Sequence, residues 1–243
     1  MRPAPLKHIF ILGLCLGILS VSSLLTSCSP PGSGDANTKQ ASYTLPADNY
    51  VTPRKIYPYD LKSGEKELSG KTVWVRPGAA QAYYRYGAQG ADTKHRAGVL
   101  PTLGRLDVKG VVVDKVLVTI SGLKIWREQL LAIFTASWQP GEFAVPIATE
   151  SADSFTFTVN DQFFFEDPHQ LYRHWPPEVW AAVDRHEAKQ GMNELQVSFA
   201  LGPEVTSSGD DFGWRWVRYS GNDGPIKVVF KDDQVVKITQ ESR

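Results

Sequence analysis

The residue types best suited to metal, thiol or proton chemistry are few: five histidines and two cysteines in 243 residues. His169, His174 and His186 lie near Glu166 and Asp167. Imidazole with carboxylate is a donor set that suits zinc. The spacing argues against it, because His169 and His174 are five apart and would not share a helical face. His186 falls on a later segment, so the expectation is helix-end and surface histidines, with no metal and no cofactor. Asp210-Asp211 and Asp232-Asp233 are acidic pairs without EF-hand spacing. They read as turns, where Asp bonds to its own backbone. Tyr83-Tyr84-Arg85-Tyr86 is an aromatic-basic run that either stacks on a ligand or forms an ordinary strand. Trp214, Trp216 and Arg218 alternate along one strand face, and Arg215, Val217 and Tyr219 along the other. A nucleophile elbow, a P-loop, a dinucleotide fingerprint and a zinc-protease motif are all absent from the sequence.

The N-terminus carries a different chemistry. Arg2 and Lys7 precede an apolar run from Ile9 to Leu25, which ends in Leu25-Thr26-Ser27-Cys28. A basic start, an apolar stretch and small residues at its end read as a secretory signal. The run is short for a spanning helix, which needs about 20 apolar residues. Leu25-Thr26-Ser27-Cys28 resembles the bacterial lipobox. That resemblance implies cleavage before Cys28 and acylation of its thiol. Ser29 in place of Asp implies sorting to the outer membrane, facing the periplasm. Residues 29–40, SPPGSGDANTKQ, have the composition of a flexible tether.

Composition narrows the rest. Lysine plus arginine and aspartate plus glutamate both number 26, and loss of Arg2 and Lys7 leaves the mature chain close to neutral. Without a basic excess, nucleic acid is not an expected partner. Cys15 falls in the signal and Cys28 takes the lipid, so the folded part would hold no thiol. A disulfide framework and thiol catalysis are excluded together.

The elements that must position these residues divide the chain. The expected parts are a signal at 1–27, a lipidated tether and extended segment at 28–68, a β-rich domain at 69–168 and an α+β domain at 169–243. Strands are expected over 71–76, 111–120, 141–147, 154–159 and 162–165, with a turn at Asn160-Asp161. The stretch 125–137 fits either a strand or a helix. Together these suggest a small barrel or sandwich. Trp175-Pro176-Pro177 starts a helix that ends at Lys189-Gln190-Gly191. Asn193 caps a second helix, which Gly202 and Pro203 end. Strands over 214–219, 226–231 and 235–239 complete a two-helix, three-stranded antiparallel two-layer unit. The expected fold class is therefore α+β.

Two resemblances attach to this outline. The phrase Ser69-Gly-Lys-Thr-Val-Trp-Val-Arg-Pro-Gly78 resembles the opening strand of bacterial SH3-like domains. Residues 191–236 carry Gly-Met, Ala200-Leu-Gly-Pro203, Trp214-Arg-Trp-Val-Arg-Tyr219, Val228-Val-Phe230 and Asp233-Gln-Val-Val236. This pattern resembles the SmpA/OmlA-type domain of small outer-membrane lipoproteins, over about residues 185–240. The resemblance implies a support role in outer-membrane assembly, and relatives of that shape include secreted β-lactamase inhibitors. The long β-rich region departs from that family, whose members are short.

The functional expectation is an envelope lipoprotein that binds or scaffolds without catalysis. It would be joined to the membrane by its N-terminal lipid and to an envelope protein partner. Tyr83, Tyr84, Tyr86, Trp214, Trp216 and Arg218 form the candidate binding surface, and Cys28 the lipidation site. The alternatives are an envelope hydrolase acting on peptidoglycan or polysaccharide, and a periplasmic inhibitor or ligand sensor.

Overall fold

The computed structural model describes residues 47–241 apart from 152–153, 210–212 and 222–223. The expected signal, Cys28, the tether at 29–40 and the Asp210-Asp211 pair lie outside the described residues. A 3₁₀ turn at Ala47–Tyr50 leads through an extended segment to α1 (Leu61–Leu68). The chain continues through β1 (Thr72–Val75), β2 (Ala82–Gly87), β3 (Gly90–Val99), β4 (Arg105–Ile120), β5 (Leu123–Ala136), β6 (Gln139–Ser151) and β7 (Ser154–Phe157). Short elements follow: α2 (Val159–Gln162), β8 (Phe163–Phe164), α3 (Pro168–Leu171), α4 (Pro177–Val183) and α5 (Glu194–Leu201). The last are β9 (Glu204–Gly209), β10 (Trp214–Tyr219), β11 (Ile226–Lys231) and β12 (Gln234–Gln240).

Two antiparallel sheets result. The larger has the order β3-β2-β6-β5-β4-β1-β8, with β7 also paired to β6. The smaller runs β12-β11-β10-β9. Its β11–β12 hairpin turns on Asp232-Asp233, both with positive φ, as a two-residue turn with the twist of its strands requires. Ser121-Gly122 turns β4 into β5 in the same way.

Two main cores lie on these sheets. Val73, Val75, Leu106, Leu130, Phe134 and Phe143 belong to the first, which α1 covers through Leu68. Tyr172, Trp175, Phe199, Val217, Tyr219 and Phe230 belong to the second, between α3–α5 and the small sheet. Successive strand residues point to opposite faces. Phe163 therefore enters the first core and its neighbour Phe164 the second. Trp74, the β1 partner of Phe164, also packs against the second core. The β1–β8 edge is thus a wall shared by both.

The expected α+β class is corrected. The described chain is mostly β, with 50% strand and 18% helix, and its helices are few and short. Three local causes explain the difference. Residues 123–136 are a strand because they pair with β4 on one side and β6 on the other, which a helix could not do. The first helix of the expected pair stops at Val183, where the Glu187 N–H turns back to the Ala182 carbonyl. The small sheet holds a fourth strand, because Glu204–Gly209 pairs with β10. That strand is exposed along its length, so no buried alternation marked it in the sequence. The helix α1, within a stretch expected to be irregular, also departs from the sequence reading. Asp60 caps it by accepting from the Ser63 N–H at 2.7 Å.

Candidate functional site

The candidate surface residues go to three places. Tyr83 turns into the first core at 4% exposure. Its ring meets Phe143 edge-on at 5.2 Å, and its hydroxyl donates to Gln139 Oε1 at 2.7 Å. Its strand partner is Gly98, where a Cβ would stand 2.8 Å from the Tyr83 hydroxyl. Tyr83 is a core residue that needs a glycine opposite it. Tyr84 and Tyr86 face the other side of the sheet, half-buried against a small cluster of Val116, Leu131 and Ala144. The structure does not gather the three tyrosines into one surface.

Trp214, Trp216 and Arg218 do share a face. On β10 the alternate residues Val217 and Tyr219 are buried in the second core. Arg215, on that inner side, forms ion pairs with Glu194 at 2.9 Å and Glu204 at 3.4 Å. Burial pushes the Glu194 carboxyl up from its ordinary range, against the pull of Arg215. Burial likewise raises the Tyr219 hydroxyl. Trp214, Trp216 and Arg218 therefore point outward, away from the helices.

The neighbouring strand adds charge to that outward face. Trp214 is paired with Lys231, Trp216 with Val229 and Arg218 with Lys227. Lys237 on β12 is paired with Val229 and so shares the face. Lys227 Nζ sits 4.3 Å from the Trp216 ring centre, and Lys231 Nζ 5.6 Å from that of Trp214. A cation over an indole face is held by the ring quadrupole. Arg218 is paired with Glu241 at 2.7 Å. Trp214 nevertheless keeps 62% of its surface exposed. The sequence named both tryptophans and the arginine by alternation. It did not name the lysines, because their place depends on the β10–β11 register.

The candidate metal residues separate. His169 stacks on Trp180 at 4.0 Å and lies 3.3 Å from both Asp167 and Asp184. His174 Nε2 donates to Asp48 Oδ1 at 2.6 Å. His186 Nδ1 lies 3.2 Å from the Ala200 carbonyl oxygen. Among the described residues no group of three histidine, cysteine, aspartate or glutamate side chains is placed to hold one metal ion. Asp48 is the residue that sequence reasoning missed, since it precedes its partners by more than 120 residues. No known family, curated protein or solved structure matches this chain.

Proposed function

We propose that this chain is an envelope lipoprotein, tethered through Cys28 to the outer membrane and facing the periplasm, that binds or scaffolds an envelope protein without catalysis. The observation that carries the binding half is the outward face of the small sheet. It presents Trp214 and Trp216 among Lys227, Lys231 and Arg218. Exposed tryptophan and arginine are the residues most enriched at the centres of protein interfaces. The tethering half is supported by Leu25-Thr26-Ser27-Cys28 and the polar stretch after it. The SmpA/OmlA-type likeness of about residues 185–240 is consistent with the same role, as a support protein beside a membrane assembly.

A photoreactive amino acid at position 214 in the native envelope tests the binding half. The expected result is a discrete adduct with an envelope protein, lost when Trp216→Ala and Lys227→Glu are added. The same probe at Lys66, on the exposed side of α1, should give no such adduct. Equal labelling from both positions, or none at 214, would overturn the assignment of this face.

A further inference from the structure

The face of the large sheet opposite its main core carries a cleft of about 540 Å³, within the size range of small-ligand sites. Tyr84, Val116, Val118 and Pro146 give it apolar walls, and Gln129 and Gln162 stand among them. The two glutamines are nearly removed from water, at 5% and 7% exposure. Gln129 opens the run Gln-Leu-Leu-Ala-Ile-Phe134, whose other members are apolar core. Its direct cross-strand partners are Asp114 and Thr149, and Val116 and Leu131 lie beyond them on the same face.

The amides are held at one end only. Gln162 Nε2 donates to Thr158 Oγ1 at 2.6 Å, and that hydroxyl donates onward to the Ile147 carbonyl at 3.2 Å. This relay fixes which end of the Gln162 carboxamide is oxygen. Gln129 Nε2 reaches Thr149 Oγ1 at 3.4 Å. Neither Oε1 finds a donor among the described residues. A buried acceptor without a donor has given up its bond to water for nothing, and native folds rarely keep one. Here two belong to side chains that line one cleft.

The chemistry of the lining selects a ligand class. Its polar lining side chains are Gln81, Gln129, Thr149, Thr158, Asp161 and Gln162, with Tyr84 beside them. No lysine, arginine or histidine stands among the described lining residues, so an anion would meet no counter-charge. The ring of Tyr84 and the ring of Pro146 suit the C–H face of a pyranose. We infer that this cleft binds a neutral saccharide, whose hydroxyl groups donate to Gln129 and Gln162 Oε1. Both oxygens are sealed from bulk solvent. Binding therefore turns the carboxamides toward the cleft about their terminal torsions, exchanging the Gln162–Thr158 and Gln129–Thr149 bonds for bonds to the ligand. The site is independent of the small-sheet face and of Cys28.

Calorimetric titration of the full chain in detergent tests this, with cellobiose and N,N′-diacetylchitobiose as neutral probes and glucuronic acid as the anionic comparator. Saturable binding of at least one neutral disaccharide is expected, weakened tenfold or more by Gln129→Met and by Gln162→Met. Asp161→Asn, at an exposed position, should weaken it severalfold without affecting folding. Gln129→Met should melt at or above the wild-type temperature, because it deletes a buried acceptor that has no donor. Absence of saturable binding by both neutral sugars would overturn the proposal. So would equal binding of glucuronic acid. A lowered melting temperature in Gln129→Met with saccharide binding unchanged would assign the oxygens to structural water instead, and would also overturn it.

Discussion

Asp48 sets the tightest polar constraint on the second core. Its Oδ1 accepts from His174 Nε2 and Trp175 Nε1, each at 2.6 Å, and its Oδ2 from Asn193 Nδ2 at 2.8 Å. One carboxylate thus ties the segment before α1 to three points around the helices. Hydrogen bonds to a charged acceptor contribute about 1.5–3 kcal/mol each, and those sharing one group are not additive. Asp48→Ala is expected to cost about 3 kcal/mol in urea unfolding. Asp48→Asn should cost less, since it keeps one acceptor atom. Trp214→Ala provides the contrast at an exposed position. Its stability change should stay within about 0.5 kcal/mol, while the adduct expected at the small-sheet face disappears. The difference between these two residues was only half legible. Trp214 is read from alternation within six residues, whereas Asp48 meets its partners across the whole length of the fold and leaves no local pattern.

Helix starts were legible when a capping residue and its partner lie close together. Asn193 is a cap whose partner Gln196 stands only three positions on, and the two exchange bonds at 3.0 and 2.8 Å. Asn193→Ala should cost about 1–2 kcal/mol, because it removes the cap of α5 and one of the bonds to Asp48. Asp60 at α1 went unread because Pro46, Pro53 and Pro58 dominate the stretch before it. Ser63, first through its hydroxyl and then through its N–H, holds the Asp60 carboxyl below the usual carboxylate range. A lowered folded value means that the stabilisation is present above the unfolded value of 3.8 and is lost as pH falls through the folded one. Asp60→Ala should therefore melt lower than wild type at pH 7. A pH series of melting curves should show the gap closing below pH 3.8. Strands were legible where one face is buried and the other wet. The stretch 125–137 stayed ambiguous because its central part, Leu130–Ile133, is buried on both faces and has no period of two. Gly98 marks another limit of local reading. Its need to be glycine comes from the Tyr83 ring on the next strand. Gly98→Ala should lower the melting temperature, and Tyr83→Leu in the same chain should recover part of the loss.

Across the molecule, the two cores meet at the Phe163-Phe164 pair, one ring in each. Phe164 is 1% exposed, so Phe164→Ala should cost about 3–5 kcal/mol in urea unfolding. Secondary-structure and tryptophan-fluorescence signals should still unfold together, because the β1–β8 edge belongs to both cores. The β-rich character of the first region was legible from its β-branched runs. The class of the whole was not, since it turned on one ambiguous strand, one exposed strand and one helix that ends early. The proposal of a lipid tether rests on a short N-terminal sequence pattern. Every functional reading of the small-sheet face assumes that the chain is held at an envelope membrane. The most direct test is the mass of the N-terminal tryptic peptide of the protein purified from membranes. The account expects a peptide beginning at Cys28 and ending at Lys39, carrying the added mass of its acyl chains. A chain still beginning at Met1, or one cut elsewhere with an unmodified Cys28, would contradict it.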